Sequence, residues 1–224
     1  MIADALTMTR RSLRHIARYP SLTVLLVGFP VVFLLLFVFV FGGTLGAGLA
    51  GASGGGRAAY LAYLTPGILL VAVTSAAQGT AITVATDMTE GIVARFRTMS
   101  ISRASVLTGH VVGSVAQALL CVLVTLGVAL AIGYRPSAGP LAWLGVLGVV
   151  TLLSLALTWL SVALGMVSKS VETASNLPMF LTLLPFLGSA FVPAASMPAG
   201  LRTFAEYQPF TPVIETLRGL LDGT

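Results

Sequence analysis

The chain has 224 residues, of which 57% are hydrophobic and only 8% are charged, and its mean hydropathy is +1.00. This composition excludes an ordinary soluble domain, in which about a quarter of the residues are charged. The formal net charge is +5, and the single cysteine, Cys121, excludes an intrachain disulfide and a metal cluster built from cysteines.

The N-terminal region, residues 1–19, has the pattern of an amphipathic helix. One side of its helical wheel is basic and the other side is apolar. The basic side consists of Arg10, Arg11, Arg14 and Arg18. We expect this helix to lie on the cytoplasmic membrane surface with its arginines among lipid phosphates. The residues leave open whether it only anchors the topology or also takes part in coupling.

Five charge-free runs follow, and each is long enough to cross a bilayer, for which a helix needs about 20 residues. The predicted spans are 21–43, 64–86, 105–133, 141–167 and 173–195. Pro178 and Pro185 lie inside the fifth span and predict a bend there. A buried helical core would still need charged outer faces, which these runs lack. The sequence therefore predicts an all-α polytopic membrane protein.

Basic residues are concentrated on one side of the predicted membrane. The N-terminal region and the loops after the second and fourth spans hold eight of the twelve. By the positive-inside rule the N-terminus is cytoplasmic, and the C-terminal segment 196–224 is then an external amphipathic or re-entrant segment. We interpret the positive charge as topology and lipid contact. Nucleic-acid binding is not expected, because no basic residues cluster with exposed aromatic residues.

The loop after the first span, 44–60, contains Gly46-Ala47-Gly48-Leu49-Ala50-Gly51, a literal G-x-G-x-x-G pattern. A dinucleotide site would need a preceding strand and an acidic residue about 20 positions later. Here a span precedes the pattern, and the next acidic residue is Asp87. We therefore interpret the segment as a flexible external linker.

The loop between the second and third spans, 87–103, predicts a short amphipathic cytoplasmic helix. Asp87 and Glu90 have the spacing of a capping box, and Ser102 is a second N-cap before the chain re-enters the membrane. The apolar stripe consists of Ile92, Val93, Phe96 and Met99, flanked by Arg95 and Arg97. Such a helix suits docking into a groove of a partner protein. Contact of its apolar face with the bilayer or with neighbouring spans stays open.

The spans contain no carboxylate, which argues against a proton relay and against an intramembrane hydrolase. Their largest uncharged polar side chains are Gln78, Gln117 and Asn176. Two roles are open for these residues: hydrogen bonding between helices, or lining the path of an amphipathic substrate.

The order of these features resembles ABC-2 type permeases, and most closely the daunorubicin-resistance branch of bacterial ABC exporters. The matching segments are the basic N-terminal helix ending in RYPS, YLTPGIL from Tyr63, Glu90-Gly91 with the arginines after it, and PFTPVIETLRGLLDG from Pro209. The resemblance implies that the loop helix couples the spans to a separate ABC ATPase subunit, which would hold ATP and magnesium, so that this chain has no cofactor of its own. We assign ATPase coupling to Asp87, Glu90, Gly91, Arg95, Phe96, Arg97, Ser102 and Arg103.

The resemblance also implies a dimer, either a homodimer or a heterodimer with a paralogous permease. Members of the family usually have six spans, and the last of them has no counterpart here. The sequence leaves open whether the chain is a fragment or a naturally short form. We expect a permease subunit, without enzyme activity, that exports a drug, antibiotic or lipid across a bacterial plasma membrane. The alternatives are an ATPase-independent channel or secondary carrier, a structural membrane protein, and an exporter of a lipid-linked sugar or polysaccharide.

Overall fold

The computed structural model describes residues 20–49, 56–89, 103–168 and 170–223. Helix α1 (Pro20–Leu36) continues through a π-helical turn (Phe37–Phe41) into α2 (Gly42–Leu49), and α3 (Arg57–Thr89), α4 (Arg103–Ala131) and α5 (Pro140–Val167) follow. Helix α6 (Val171–Leu183) ends in a 3₁₀ turn (Leu184–Leu187), and after a second such turn (Ala194–Ser196) come α7 (Ala199–Tyr207) and α8 (Phe210–Asp222). These ranges contain no strand, which confirms the all-α class.

Helix α3 lies at the centre of the bundle. It packs against α1, α2, α4, α5, α6 and α8, and most of its residues are buried. Glycines allow this close packing: a Cβ added to Gly67 would collide with Ala190, and one added to Gly79 would collide with Leu26. Every long helix of the described chain is therefore attached to α3.

Within the described residues, four helices are long and apolar enough to cross a membrane. They cover Val24–Gly48, Arg57–Thr89, Val111–Ala131 and Pro140–Val167. The fifth predicted span, 173–195, is helical only as far as Leu187, and its α-helix changes to a 3₁₀ turn next to Pro185. From Val171 to Leu187 this segment extends about 25 Å. The count of five spans stays a prediction.

The glycine-rich segment is more helical than the sequence predicts. Its first part belongs to α2, and α3 already begins at Arg57, so the segment 44–60 is not a linker throughout. Backbone groups near lipid must be hydrogen-bonded, which favours helix in spite of the low helix propensity of glycine. A Cβ at Gly46 would collide with the Gly56 carbonyl, so glycine is needed where these two helix ends meet. Gly46 and Gly48 thus lie in a helix and not in a phosphate-binding turn.

Asp87 also differs from the expectation that it caps a new helix, because α3 continues through Thr89. Threonine hydroxyls bond carbonyls of the preceding turn here: Thr83 donates to Gly79 at 2.9 Å and Thr86 donates to Ile82 at 2.9 Å. These bonds stay within the helix and keep its last turns intact. The residues 90–102, with most of the predicted coupling helix, lie outside the described residues, as does the N-terminal segment 1–19.

The bundle has two ends that we name for what they carry. The loop end holds Thr89 and Arg103, between which 90–102 runs; the cap end holds Arg57, the α4–α5 connection, and α8. Helix α8, in the C-terminal segment expected to be amphipathic, buries Phe210, Ile214, Leu217 and Leu221. Ser137 binds the C-terminal end of α8: the Ser137 N–H donates to the Leu221 carbonyl at 3.1 Å, and the Ser137 Oγ donates to the Asp222 carbonyl at 2.5 Å.

Candidate functional site

Six of the eight predicted coupling residues lie outside the described part of the chain. Glu90, Gly91, Arg95, Phe96, Arg97 and Ser102 fall in the segment outside the described residues. Asp87 is in the last turn of α3, and Arg103 is the first residue of α4. Since α3 and α4 pack against each other, the predicted coupling segment joins two neighbouring helices at the loop end.

A chain of hydroxyl groups connects three helices inside the bundle. Thr80 of α3 is hydrogen-bonded to Ser114 of α4, and Ser114 is bonded to Thr158 of α5 at 3.1 Å. All three side chains are buried. The Thr80 hydroxyl also donates to the Ala76 carbonyl at 3.1 Å, and each hydroxyl has one proton, so donation runs from Thr158 to Ser114 to Thr80. We call these three residues the hydroxyl seam.

The seam continues as a polar stripe along α5. Ser154 and Ser161 lie four residues before and three residues after Thr158, which places all three on one face. Both serines are buried, and their hydroxyls have no hydrogen-bond partner among the described side chains and backbone. Among the residues described, no group of three or more His, Cys, Asp or Glu side chains could hold a metal ion. The interior offers neutral donors and acceptors, which suit an uncharged polar group.

The predicted substrate-path residues do not all face one place. Gln78 is partly buried, and its Nε2 donates to the Ser175 carbonyl of α6 at 3.1 Å, so it acts as a bond between helices. Gln117 of α4 is partly buried as well. Asn176 follows Ser175 but is exposed, on the side of α6 away from its buried residues Ala174 and Pro178.

An aromatic cluster that the sequence analysis missed joins α1 to the segment after α6. Phe33 packs edge-on against Phe186 with ring centroids 5.4 Å apart, Phe37 lies 4.6 Å from Phe191, and Phe186 stacks on Phe191 at 4.5 Å. The signal was present as phenylalanines spaced by four, at 29, 33, 37 and 41. An α-helix has 3.6 residues per turn, so side chains spaced by four move gradually around it. The π-helical turn Phe37–Phe41 has more residues per turn, and it therefore brings the Phe41 ring back toward the side of Phe37.

At the cap end, Arg218 of α8 joins three parts of the chain. Its Cζ lies 3.9 Å from the centroid of the Tyr63 ring, and its Nη2 donates to the carbonyls of Tyr63 at 3.3 Å and Ser189 at 3.0 Å. The Tyr63 hydroxyl donates to the same Ser189 carbonyl at 2.8 Å. We call Tyr63, Ser189 and Arg218 the cap joint. Charge-assisted hydrogen bonds and cation–π contact are the stronger classes of polar contact.

Two titrating groups lie beside the cap joint. Burial raises the pKa of the Asp222 carboxyl above its ordinary value, and the nearby Arg218 partly offsets this effect. Burial, with the Asp222 charge as a smaller cause, raises the pKa of Tyr134 to about 12. Tyr134 therefore stays neutral at physiological pH.

Comparison with known proteins explains this architecture. The family model for the ABC-2 type transporter matches residues 4–221. The chain belongs to the ABC-2 type transporter family. It is 26% identical, over all of its length and 76% of the relative, to the daunorubicin resistance ABC transporter permease protein DrrB1 of Streptomyces coeruleorubidus. It is 23% identical, over 99% of its length and 78% of the relative, to the probable doxorubicin resistance ABC transporter permease protein DrrC of Mycobacterium tuberculosis.

These findings confirm the resemblance to ABC-2 permeases of the drug-resistance type. The chain is a multi-pass membrane permease of an ABC transporter, and its relatives are transport components. An ABC-2 bundle in a bilayer also accounts for the large apolar side chains on the outside of the described helices, such as Leu25 of α1 and Leu141 and Val167 of α5, which are 68%, 82% and 79% exposed. In water such a surface would aggregate, whereas lipid solvates it.

Proposed function

We propose that this permease is the membrane subunit of an ATP-driven exporter that moves a hydrophobic or amphipathic compound out of the cell. A separate ABC ATPase subunit would bind ATP and magnesium and drive the transport. The observation that carries the proposal is the attachment of the predicted coupling segment to α3. Because α3 packs against all the long helices described, a push on 90–102 would reach the whole bundle through one element.

The hydroxyl seam supports this mechanism. It bonds α3 to its two neighbours α4 and α5, so these three helices would move together when the coupling segment is displaced. Helix α1 is joined to α3 by close packing, including the contact of Leu26 with Gly79, and α6 is joined to it by packing and by the bond from Gln78 to the Ser175 carbonyl. Rotation of one group of packed helices against another is an established form of switching.

The orientation belongs to the same proposal. The loop end would face the cytoplasm, where the ATPase is, and the cap end would lie outside, with the N-terminus cytoplasmic. The positive-inside rule supports this orientation, because the predicted loop 87–103 contains Arg95, Arg97 and Arg103. The permease would act as a homodimer, or as a heterodimer with a paralogous permease, surrounded by membrane lipids.

The substrate class is also proposed from the chemistry of the interior. Gln117, together with the unpartnered hydroxyls of Ser154 and Ser161, would line the path of the substrate, whereas Gln78 bonds α3 to α6 and Asn176 lies on the exposed side of α6. Neutral hydroxyl and amide groups among aliphatic residues match a largely apolar molecule with a few hydrogen-bonding groups. The names of the relatives, which carry daunorubicin and doxorubicin resistance, support a drug or antibiotic as substrate.

The test is charge reversal in the coupling segment, Arg95→Glu with Arg97→Glu. In vesicles that contain this permease and the ATPase encoded beside it, we expect ATP-dependent daunorubicin transport to fall at least about tenfold, while the permease is still inserted. Loss of one or two charge-assisted contacts at the interface has an effect of that order. The matched control is Arg202→Glu, because Arg202 is exposed on α7 and pairs with Glu206 of the same helix. Unchanged transport by the double variant, or transport without ATP, would refute the proposal.

A further inference from the structure

The cap joint connects α8 to the turn at Ser189. Ser189 and Ala190 follow the 3₁₀ turn Leu184–Leu187, and they are only 2% and 0% exposed. Gly67 of α3 lies against Ala190, and Arg218 of α8 binds the Ser189 carbonyl. Release of α8 would therefore remove one of the elements that contact this turn.

The contacts of Arg218 are of a kind that can be exchanged. Among the described residues it forms no ion pair, and the acids that flank it, Glu215 and Asp222, lie one turn away on its own helix. Its strongest bonds go to two backbone carbonyls, which belong to α3 and to the turn at Ser189. Water can replace a side chain at a backbone carbonyl, whereas a buried ion pair that breaks leaves an uncompensated charge.

Tyr63 and Arg218 share one acceptor. The Tyr63 hydroxyl and the Arg218 Nη2 both donate to the Ser189 carbonyl, at 2.8 Å and 3.0 Å. The Tyr63 ring also supports the guanidinium by stacking. The three groups are therefore in direct contact at one point, in contrast to the apolar contacts of α8, which are spread along the helix.

We propose that Arg218 is the positioning residue of a latch: it holds α8 closed over the turn at Ser189, and release of its carbonyl bonds opens the cap end locally without unfolding the bundle. The latch is a property of this chain alone and needs no ATPase. If the orientation and transport proposed above hold, the opening lies on the side where the substrate leaves.

The experiment measures how often Ser189 becomes accessible. The reporter is Ser189→Cys in a chain whose own cysteine is removed by Cys121→Ala, reconstituted in lipid nanodiscs and treated with a thiol-reactive maleimide. Buried thiols react only when the structure opens, so the labelling rate follows the open fraction. Nanodiscs expose both membrane faces, and the result is therefore independent of the proposed orientation.

We expect Arg218→Met to raise the labelling rate of Ser189→Cys at least about tenfold, because the charge-assisted bonds and the stacking are lost together. Arg218→Lys should give an intermediate rate, since an ammonium keeps the charge but lacks the planar fork. Tyr63→Phe removes one bond and should raise the rate about twofold to fourfold. The double variant Arg218→Met with Tyr63→Phe should raise the labelling rate by less than the product of the two single increases, because both residues bind the Ser189 carbonyl.

Two controls separate a latch from general loosening. Arg202→Met removes an exposed arginine of α7, whose ion pair with Glu206 is local, and should leave the labelling rate unchanged. Cys121, which is fully buried in α4, serves as a second reporter in chains that keep Ser189, and Arg218→Met should not make it reactive. The proposal is overturned if Arg218→Met leaves Ser189→Cys protected, or if Cys121 becomes reactive to the same degree. Should Arg218→Met fail to insert, Arg218→Lys decides by the same two criteria.

Discussion

The hydroxyl seam and the cap joint connect the same central helix to its neighbours in different ways. The seam consists of neutral side chains of three long helices, Thr80, Ser114 and Thr158, each buried and each contributing its own proton to a chain of bonds. The cap joint consists of one cation that binds two backbone carbonyls and one ring. Both lie on α3, the seam toward its loop end and the joint at its cap end.

The difference indicates which half of the bundle is built to stay together. Removing one hydroxyl of the seam leaves the long helices packed over many turns. Removing the guanidinium of the cap joint leaves a 13-residue helix held by a few apolar side chains and by Ser137. In terms of local stability, α8 belongs to the segments that open first, whereas α3, α4 and α5 open only with the whole bundle.

The largest effect is expected at Gly67, where α3 packs directly against the turn at Ser189. In Gly67→Ala the new Cβ would lie 2.8 Å from the Cα of Ala190, so the turn at Ser189 must shift. Overpacking of this kind costs about 1–3 kcal/mol. The matched control is Gly127→Ala in α4, where a Cβ meets nothing within 4 Å and helix propensity favours alanine. Thermal unfolding in detergent measures both variants; equal stability of the two would show that α3 does not press on this turn.

Removing the middle of the seam should have the next largest effect. Ser114→Ala breaks both hydroxyl bonds, whereas Thr158→Val breaks one and keeps the shape of the side chain. Hydrogen bonds between membrane helices contribute about 0.6 kcal/mol on average and at most about 1.7 kcal/mol. We expect Ser114→Ala to lose about twice as much free energy of unfolding as Thr158→Val. Equal losses would show that only one of the two bonds of Ser114 contributes to stability.

The sequence predicted the parts of this structure that depend on local properties. The span 141–167 agrees with α5, Pro140–Val167, because length and apolarity can be counted along the chain. The amphipathic segment expected within 196–224 likewise contains α8. The order of short motifs was sufficient for the family, which the match over residues 4–221 confirms.

The contacts that carry the two proposals could not be predicted in this way. Thr80, Ser114 and Thr158 are ordinary residues of apolar helices until packing turns their faces toward one another. Arg218 binds a carbonyl that lies 155 positions earlier in the chain, and no local pattern indicates such a contact. Helix formation at Gly42–Leu49 likewise depends on the surroundings, because backbone groups near lipid must be hydrogen-bonded, and this overrides the low helix propensity of glycine.

The hydroxyl of Ser137 offers a smaller perturbation of the cap end. Ser137→Ala removes the bond from Oγ to the Asp222 carbonyl but leaves the backbone bond to Leu221. A single hydrogen bond at a partly exposed position contributes about 0.5–1 kcal/mol. We expect hydrogen exchange to rise in the last turn of α8 and to stay unchanged in α5. Faster exchange along the whole of α8 would mean that Ser137, and not Arg218, holds this helix.

The smallest effect should come from the charge of Asp222. Burial raises the pKa of this carboxyl above 3.8, so the folded protein binds its proton more tightly than the unfolded chain does. The protonated form is therefore the favoured one, and the stability that it contributes is present at acid pH and is lost as the pH rises through the folded pKa. Asp222→Asn keeps the shape of the side chain without its charge and should remove this loss of stability. The melting temperature near pH 7 should therefore rise slightly, and it should change less between pH 4 and pH 7.

Glu206→Gln on exposed α7 is the matched control and should leave the pH dependence of the melting temperature as it is, because the ion pair of this residue with Arg202 is solvated. If Asp222→Asn lowers the melting temperature at pH 7, attraction to Arg218 outweighs burial, and Asp222 is then a part of the cap joint.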